Sequence, residues 1–320
     1  MKILGTGRYL PESTLSNDDL SQLVDTNDEW IVSRTGIKSR SITKGENTSD
    51  LATKAAKLAL KKAGIKASDI TLIIVATSTP DTFIPGVSHQ VLKNLQVPKA
   101  MTFDINAACT GFVYGMDVAT SLMLTHDHRY ALVIGSEVLS KVIDWKDRNT
   151  CVLFGDGAGA VVLEHVPNEN HLRYSKCVAI SDDDDVLISN EIVVNNPLNK
   201  SDQQPFYLSM KGQDVFKFAV RVVCESVKEA LTETGICKGE IDYYVLHQAN
   251  IRILDYVAKK LEISADKFYS TIGTTGNTSA ASIPIVLAEM NEKNLLKKGM
   301  KIVLVGFGAG LTYGTMLIEW

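Results

Sequence analysis

The sequence predicts an α/β fold in which largely parallel sheets are covered by helices, and a repeated unit carries that prediction. Residues 48–63 have apolar side chains at helical spacing, and residues 69–76 follow as a continuous apolar strand. In the second half, residues 215–234 and 240–246 repeat this helix and strand. Apolar strands that alternate with helices are typical of parallel sheets buried on both faces.

The two copies of the unit keep a constant separation along the chain. Gly64 and Gly235, which end the two helices, are 171 residues apart (235 − 64). Gly135 and Gly306, at the ends of two further apolar strands, are also 171 residues apart (306 − 135). No flexible linker separates the copies. We therefore predict two similar halves that share a core, residues 1–168 and 169–320.

Composition narrows the class of protein. The 320 residues are 45% hydrophobic and 22% charged, which excludes a disordered chain. A net charge of −4 argues against general nucleic-acid binding. Five cysteines at unrelated spacings predict neither a disulfide framework nor a metal site. With no signal peptide and no apolar run long enough to cross a membrane, we expect a cytoplasmic protein.

Cys109 is the first candidate for chemistry. It lies between a strand that passes through residues 100–103 and an apolar helical segment at residues 111–124. A helix N-terminus carries partial positive charge and free N–H groups, which stabilise the reactive thiolate. The alternative is a small buried hydrophobic residue.

Two polar clusters downstream favour the functional interpretation. His247 directly follows the strand at residues 240–246, and Asn277 lies between Gly276 and Thr278. Cys109 and Asn277 are 168 residues apart (277 − 109), so we predict that they occupy equivalent strand-to-helix corners. Sites in such folds lie at the carboxyl ends of strands. A structural histidine and a helix-capping asparagine remain the alternatives.

Three further segments are less specific. Residues 154–160 are rich in glycine, but no Lys-Ser/Thr pair and no helix follow, so we predict a structural turn. We interpret residues 306–311 either as a tight turn between strands or as a loop whose exposed backbone N–H groups bind an anion. The run from Asp182 to Asp185 lacks the spacing of a calcium loop, and we interpret it as a solvated loop without metal.

The motifs around these residues resemble β-ketoacyl-acyl-carrier-protein synthase III, an initiating condensing enzyme of the thiolase superfamily. They are Ala-Ala-Cys-Thr-Gly-Phe at 107–112, His-Gln-Ala-Asn-Ile-Arg at 247–252 and Gly-Asn-Thr-Ser-Ala-Ala-Ser-Ile-Pro at 276–284. The resemblance runs nearly end to end. It implies a duplicated thiolase-like fold with α-β-α-β-α layers. It also implies decarboxylative condensation of a short acyl-CoA with malonyl-acyl-carrier protein, through an acyl-cysteine and without metal or redox cofactor.

The resemblance also implies roles for individual residues. Cys109, His247 and Asn277 are the catalytic residues, and the N–H groups of Cys109 and Ala309 form the oxyanion hole. Many relatives have glycine where Ala309 stands. The residues implied in binding CoA and pantetheine are Trp30, Arg34, Arg148 and Asn250. Those implied in binding the carrier protein are Lys217, Gln248, Arg252, Lys259 and Lys260.

The family is homodimeric, and one subunit contributes to the acyl pocket of the other. Ile84 stands where many relatives carry phenylalanine in that pocket wall, so we expect a pocket that accepts primers longer or more branched than acetyl. Two other functions stay open. The chain could be a related CoA-condensing synthase that makes a secondary metabolite, or a silent paralogue that only binds acyl groups or partners. The second would be expected to lack Cys109, His247 or Asn277.

Overall fold

A computed structural model of the chain describes residues 1–169 and 171–320, and it confirms the predicted α/β fold. Within these ranges, two large sheets are stacked with helices outside and between them. The strands of the first half are β1 (Lys2–Tyr9), β2 (Thr14–Ser16), β3 (Ser39–Ser41), β4 (Leu72–Ala76), β5 (Met101–Ile105), β6 (Tyr130–Glu137) and β7 (Gly157–Glu164). Its helices are α1 (Asn17–Ser21), α2 (Asp28–Thr35), α3 (Thr48–Ala63), α4 (Val87–Asn94), α5 (Gly111–Thr125) and α6 (Arg148–Cys151).

The second half repeats much of this order. Its strands are β8 (Leu172–Ala179), β9 (Leu187–Ser189), β10 (Leu208–Met210), β11 (Tyr243–Leu246), β12 (Lys301–Gly308) and β13 (Thr312–Glu319). Its helices are α7 (Gly212–Thr234), α8 (Ile251–Leu261), α9 (Ile272–Thr275) and α10 (Ser282–Glu292). Among the described residues, no helix is long and apolar enough to span a membrane.

The two large sheets have matching strand orders. The first runs β1-β7-β6-β4-β5 and the second runs β8-β13-β12-β11. β4 pairs in parallel with β5 and with β6, and β11 pairs in parallel with β12. The other four pairings, β1 with β7, β6 with β7, β12 with β13 and β13 with β8, are antiparallel, so both sheets are mixed and the expectation that they are largely parallel is wrong. Leu72 pairs with Ala131, and Tyr243 pairs with Ile302, so both partners shift by 171 residues. The second sheet has no strand equivalent to β5, because α9 forms at the corresponding positions.

Five layers result from the packing of apolar faces. α3 and α4 cover the outer face of the first sheet, and α7 and α8 cover the outer face of the second. α5 and α10 lie between the sheets, where Phe112, Met116, Ile283 and Leu287 are buried. Burial of such side chains contributes roughly 1.5–3 kcal/mol each. The predicted layer order α-β-α-β-α is therefore confirmed.

The helix boundaries have local causes. Asn47 caps α3, and the Asp50 side chain accepts the Asn47 N–H in return at 2.8 Å. α3 and α7 end at Gly64 and Gly235, both with φ +68°, a left-handed conformation that glycine adopts without strain. Both ends were predicted from the sequence.

The two halves contact each other where a strand of each half packs against the turn before a central helix of the other half. Gly135 of β6 lies against the second half: a Cβ there would be 2.2 Å from the carbonyl oxygen of Ala280. Gly306 of β12 lies against the first half, and its Cβ would be 3.0 Å from Cα of Thr110. These close approaches bring the turn at Ala108–Thr110 and the turn at Ser279–Ala281 together.

The two corners occupy equivalent positions in the repeat, although α9, and not the expected strand, precedes Asn277. At the common offset of 171, Asn277 matches Asn106, and Cys109 matches Ala280. Each asparagine Oδ1 accepts the N–H of the residue two positions later, at 3.2 Å in the first half and 2.8 Å in the second. The acceptor geometry thus identifies Asn106 as the counterpart, three residues before Cys109.

Candidate active site

A cavity of about 630 Å³ lies at the carboxyl ends of the central strands, and the predicted catalytic residues line it. The structure brings Cys109, His247 and Asn277 to its wall. Other residues that line it include Trp30, Arg34, Phe216, Lys217, Asn250, Arg252, Phe307, Gly308 and Leu311. Residues separated by more than a hundred positions therefore face one space.

Cys109 is almost completely buried in the turn that precedes α5. Burial raises the pKa of its thiol to about 12, and this effect exceeds the lowering by hydrogen bonding from the Ser279 side chain and from the backbone of Cys109. The expectation that a helix end stabilises a resting thiolate is therefore wrong for this structure. The low-dielectric surroundings disfavour the charged form more than the helix end favours it.

His247 is oriented by a serine that was not predicted. Its Nδ1 lies 2.7 Å from Oγ of Ser282, which accepts the backbone N–H of Gln248 at 3.3 Å. The Ser282 hydroxyl can donate to Nδ1, and in that arrangement the ring proton is on Nε2. Burial lowers the pKa of His247 to about 3, so the ring is neutral. Phe307 packs edge-on against it, with 5.1 Å between ring centroids.

Asn277 is held by both its backbone and its side chain. Its N–H donates to the carbonyl of Leu153 at 2.9 Å, and its carbonyl accepts from Gly155 at 3.0 Å. Its Oδ1 accepts the N–H of Ser279, which leaves the amide NH₂ group to face the cavity. Leu153 and Gly155 therefore support Asn277, and the predicted turn is shorter than expected because β7 begins at Gly157.

Ala309 lies in the turn between β12 and β13, which packs on the nucleophile. A Cβ at Gly308 would be 3.0 Å from the backbone nitrogen of Cys109. Thr312 Oγ1 donates to the carbonyl of Ala309 at 3.0 Å and lies 2.9 Å from Oγ1 of Thr110. These contacts join the Ala309 turn to the segment that carries Cys109.

An aromatic residue and two arginines lie near the mouth of the cavity. The guanidinium carbons of Arg34 and Arg148 are 4.8 Å and 4.9 Å from the centre of the Trp30 ring. Arg148 also donates to the carbonyl of Asp25 at 2.8 Å. Asn250 caps α8 and donates from Nδ2 to the carbonyl of Arg34 at 2.9 Å. The predicted CoA contacts are thus clustered.

Most of the predicted carrier-protein contacts lie on an exposed surface of α7 and α8. Lys217 and Arg252 are at the cavity rim, and Lys259 and Lys260 follow in the last turn of α8. Arg221, which no sequence motif indicated, is exposed on the same surface one turn after Lys217 on α7.

Gln248 does not belong to that surface, which corrects its predicted role. It is completely buried, and its Oε1 accepts from Ser270 Oγ at 2.7 Å and from the Thr271 N–H at 3.2 Å. Its Nε2 donates to the Leu246 carbonyl at 2.7 Å. Its polar atoms therefore serve the interior, where they connect the His247 segment to the segment before α9.

Ile84 lies outside the cavity, with 89% of its surface exposed, and the neighbouring Phe83 is 76% exposed. The run from Asp182 to Asp185 lies in an exposed loop with short turns of its own. In the part of the chain that the structure describes, no cluster of three or more His, Cys, Asp or Glu side chains could hold a metal ion.

Two family models match the chain. The one described as 3-oxoacyl-[acyl-carrier-protein (ACP)] synthase III matches residues 103–182, and the one described as its C terminal matches residues 231–320. Beta-ketoacyl-[acyl-carrier-protein] synthase III of Clostridium novyi (strain NT) is 52% identical over 322 residues, covering 100% of this chain and 99% of that protein.

Solved structures agree with these relatives. The 3-oxoacyl-[acyl-carrier-protein] synthase III of Aquifex aeolicus VF5 has a TM-score of 0.92 and 41% identity, covering 100% of this chain and 99% of its own. The priming beta-ketosynthase from the R1128 polyketide biosynthetic pathway has a TM-score of 0.92 and 31% identity, covering 99% of this chain and 95% of its own.

Proposed function

This chain belongs to the β-ketoacyl-[acyl-carrier-protein] synthase III family, and from that premise we propose that the cavity around Cys109 carries the reaction. As a member of the family, the chain is an acyltransferase that condenses an acyl primer with malonyl-acyl-carrier protein and initiates fatty acid synthesis. The roles of individual residues below are the proposal.

In the first half-reaction, the sulfur of Cys109 attacks the thioester carbonyl of a short acyl-CoA. The S–C bond to Cys109 forms, the C–S bond to CoA breaks, and an acyl-enzyme remains. The N–H groups of Cys109 and Ala309 stabilise the oxyanion. Support comes from the hydrogen bonds of Thr312 to the Ala309 carbonyl and to Thr110, which keep these two segments in contact.

In the second half-reaction, His247 and Asn277 hold the thioester oxygen of malonyl-acyl-carrier protein. The neutral ring of His247 donates from Nε2, and Asn277 donates from its amide nitrogen. Loss of carbon dioxide leaves the bonding electrons as an enolate, whose charge these donors stabilise. The carbanion then attacks the acyl group on Cys109, a C–C bond forms, and the Cys109 sulfur departs. Decarboxylation supplies the carbanion, so neither metal nor redox cofactor takes part in these steps.

The Trp30 cluster provides a binding site for the adenine of CoA. An aromatic base stacks between an indole ring and a guanidinium plane with about 3.5 Å on each side. Arg148 already lies 4.9 Å from the Trp30 ring centre, so adenine must displace it before it can stack. Arg34 lies beside this pair, and Asn250, which donates to the Arg34 carbonyl, contacts the pantetheine arm.

The carrier protein docks on the exposed positive side chains beside the cavity. Lys217 and Arg252 lie at the rim, and Lys259, Lys260 and Arg221 extend this surface along α7 and α8. An acidic partner would be attracted to such a surface, chiefly through its association rate. Gln248 is excluded from this role by its burial.

A homodimer completes the acyl pocket. Phe83 and Ile84 expose most of their apolar surface in the single chain, and a second subunit would cover them. In this arrangement Ile84 forms part of the partner's pocket wall, and its short side chain permits primers longer or more branched than acetyl. The cytoplasm is the compartment in which we expect the enzyme to act.

The observation that carries the proposal is the shared cavity of Cys109, His247 and Asn277, with His247 held neutral by burial. Intact-mass spectrometry after exposure to acetyl-, butyryl- and isobutyryl-CoA tests the first half-reaction. We expect one acyl group per chain, lost in Cys109→Ala and retained in Cys237→Ala, a matched control at an exposed cysteine. Loading of Cys109→Ala, or of another cysteine, would contradict the assignment.

The second half-reaction is tested on the acylated enzyme. His247→Ala and Asn277→Ala should each lower consumption of malonyl-acyl-carrier protein by on the order of 10²–10³, because each removes one oxyanion donor. Acyl loading should change much less. Equal losses in both half-reactions would show that these residues activate the thiol instead.

The related-synthase alternative has one specific observation in its favour, the similarity to a priming β-ketosynthase of a polyketide pathway. Turnover with a fatty-acid carrier protein distinguishes the two functions. A secondary-metabolite synthase would still load acyl groups on Cys109, but it would not turn over malonyl-acyl-carrier protein of fatty acid synthesis. A silent paralogue would do neither, and the retained Cys109, His247 and Asn277 argue against one.

A further inference from the structure

A buried arginine lies behind the segments that hold Asn277, and the steps above do not use it. Arg40 is in the middle of β3, and its side chain is completely buried. Burial lowers the pKa of its guanidinium to about 10, so the group still carries a positive charge at neutral pH. The oxygens to which it donates hydrogen bonds are neutral. A buried cation is therefore present beside the active site without a direct ion pair.

The guanidinium of Arg40 joins three parts of the first half. Nη1 donates to the carbonyl of Leu15 at 3.1 Å. Nη2 donates to Oδ1 of Asn17 at 2.8 Å and to the carbonyl of Val152, also at 2.8 Å. Nδ2 of Asn17 donates in turn to Oδ1 of Asp28 at 2.8 Å, so one amide group separates the cation from a carboxylate. The Nε atom of Arg40 has no hydrogen-bond partner among the described residues.

This arrangement is a poor device for stability alone. A buried cation loses its hydration, and neutral acceptors return only part of that free energy. The unpaired N–H of Nε adds a further cost. A planar guanidinium that bonds several oxygens at once does, however, fix those oxygens relative to one another. Arg40 thus holds the carbonyl of Val152 in place relative to β2 and α1.

The aliphatic stem of Arg40 packs against the backbone beside Asn277. A Cβ at Gly276, the residue before Asn277, would be 3.0 Å from Cβ of Arg40. A Cβ at Gly155 would be 3.2 Å from the same atom, and the Gly155 N–H donates to the Asn277 carbonyl at 3.0 Å. The stem therefore limits how far the Asn277 backbone can move towards β3.

The guanidinium end of Arg40 holds the segment that pairs with Asn277. Val152 accepts from Nη2, and the next residue, Leu153, accepts the Asn277 N–H at 2.9 Å. Phe154 and Asn277 form an isolated parallel bridge. The side-chain oxygen of Asn277 is already bonded to a backbone N–H, so the direction of its NH₂ group follows the position of this backbone.

We propose that Arg40 positions Asn277 for the condensation step. Its guanidinium fixes the backbone at residues 152–155, its stem fixes Gly276, and together they direct the Asn277 amide to the thioester oxygen of malonyl-acyl-carrier protein. This inference rests on the proposed role of Asn277. Arg40 does not line the cavity and acts only through Asn277, so it is a positioning residue. Acylation of Cys109 does not depend on it.

The first test compares the two half-reactions in Arg40→Lys. Lysine keeps the charge and most of the stem, but one ammonium nitrogen cannot hold the three oxygens in the geometry of a planar fork. Condensation by the pre-acylated variant should fall roughly tenfold, which is less than the loss of the donor itself in Asn277→Ala. Single-turnover release of CoA from saturating acetyl-CoA should stay near the native rate. A merely structural role would lower both half-reactions together.

A double-mutant cycle tests whether the effect passes through Asn277. With Asn277→Ala already present, Arg40→Lys has no amide left to misplace and should change the rate of condensation by less than about twofold. With His247→Ala present instead, the same change should still lower condensation roughly tenfold, because Asn277 remains as a donor.

Arg8→Lys is the matched control. Arg8 is a partly buried arginine that also joins distant elements, with Nη1 2.6 Å from Oε2 of Glu289 and Nε 3.0 Å from Oε2 of Glu292. Both half-reactions should keep their native rates in this variant. If Arg40→Lys does not fold, Asn17→Ala removes one acceptor of the Arg40 guanidinium. That variant should lower condensation about threefold, and only where Asn277 is present.

Three results would overturn the inference. They are equal losses in the two half-reactions of Arg40→Lys, an undiminished loss in the Asn277→Ala background, and the same loss in Arg8→Lys. If Asn277→Ala alone leaves condensation unchanged, the proposed function loses this donor and the inference about Arg40 is overturned with it. Native condensation in Arg40→Lys, together with a large loss in Asn277→Ala, overturns the inference only.

Discussion

Oγ of Ser282 lies 2.7 Å from Nδ1 of His247, and this contact orients the ring so that Nε2 is the nitrogen left for the cavity. Ser282 is completely buried at the first position of α10. Its oxygen accepts the Gln248 N–H, and its own proton is available to Nδ1. A donor at Nε2 is the group that an enolate oxygen requires.

Ser282→Ala should lower the rate of condensation by roughly tenfold, because the ring loses a hydrogen bond that orients it. Acyl loading of Cys109 should stay near the native rate. The two half-reactions are measured separately, as malonyl-acyl-carrier protein consumed and CoA released.

Ser226→Ala is a suitable control, since Ser226 is a buried serine that accepts from Thr315 at 2.7 Å. A similar loss of condensation in that variant would point to general destabilisation.

His247 should stay neutral throughout the pH range of the enzyme. Burial lowers its pKa to about 3, so its protonated form appears only as the pH falls towards that value. The Nε2 donor is therefore present from pH 5 to 9. In NMR spectra of histidine-labelled protein, the signals assigned by comparison with His247→Ala should not titrate between pH 5 and 8. A midpoint near 6.5, the ordinary value, would contradict this prediction.

Arg148→Ala should weaken use of acyl-CoA without weakening the chemistry. Loss of one face of the adenine stack is expected to raise KM about tenfold, on the order of 1–2 kcal/mol. Loading from an acyl-pantetheine, which lacks adenine, should be unchanged. Arg129→Ala is the matched control, because its guanidinium carbon also lies 4.9 Å from an aromatic ring centre, that of Tyr130. Equal losses with both substrates would place Arg148 elsewhere in the reaction.

Ile84→Phe should shift primer preference towards acetyl. Each methylene that fits in an apolar pocket is worth about 0.8 kcal/mol, roughly a fourfold preference. The measurement compares kcat/KM for acetyl-, butyryl- and isobutyryl-CoA. Leu124→Phe, at another exposed apolar position, serves as the control. An unchanged ranking in Ile84→Phe would mean that another residue, such as Phe83, closes the pocket.

The boundaries of the elements show what a local pattern can determine. The helix predicted at residues 48–63 forms at those residues, because its capping residues and terminal glycine are adjacent in sequence. The strand predicted at residues 69–76 begins only at Leu72, since residues 67–69 form a short helical turn. The strand predicted at 130–135 continues to Glu137, because polar Ser136 and Glu137 find buried hydrogen-bond partners.

The pKa values and hydrogen-bond partners of buried residues could not be predicted in the same way, because they depend on solvation. The thiol of Cys109 stands before a helix, but its pKa follows the burial that the second half imposes. Gln248 looks like a surface residue in a polar motif, yet it is enclosed by partners more than twenty positions away. Ser279 and Ser282 were visible in the Gly-Asn-Thr-Ser-Ala-Ala-Ser motif, but nothing in the chain separated them from ordinary turn residues.

The sequence by itself determined the α/β class, the repeated helix-strand unit and the choice of Cys109, His247 and Asn277, because periodicity, terminal glycines and short motifs are properties of neighbouring positions. Only the tertiary structure decided the ionisation and the partners of those residues. The reciprocal approach of β6 and β12 places Gly308 against Cys109 and Gly135 against Ala280. Desolvation and hydrogen bonding act through space, so an un-ionised thiol and a neutral imidazole arise only where the two halves meet.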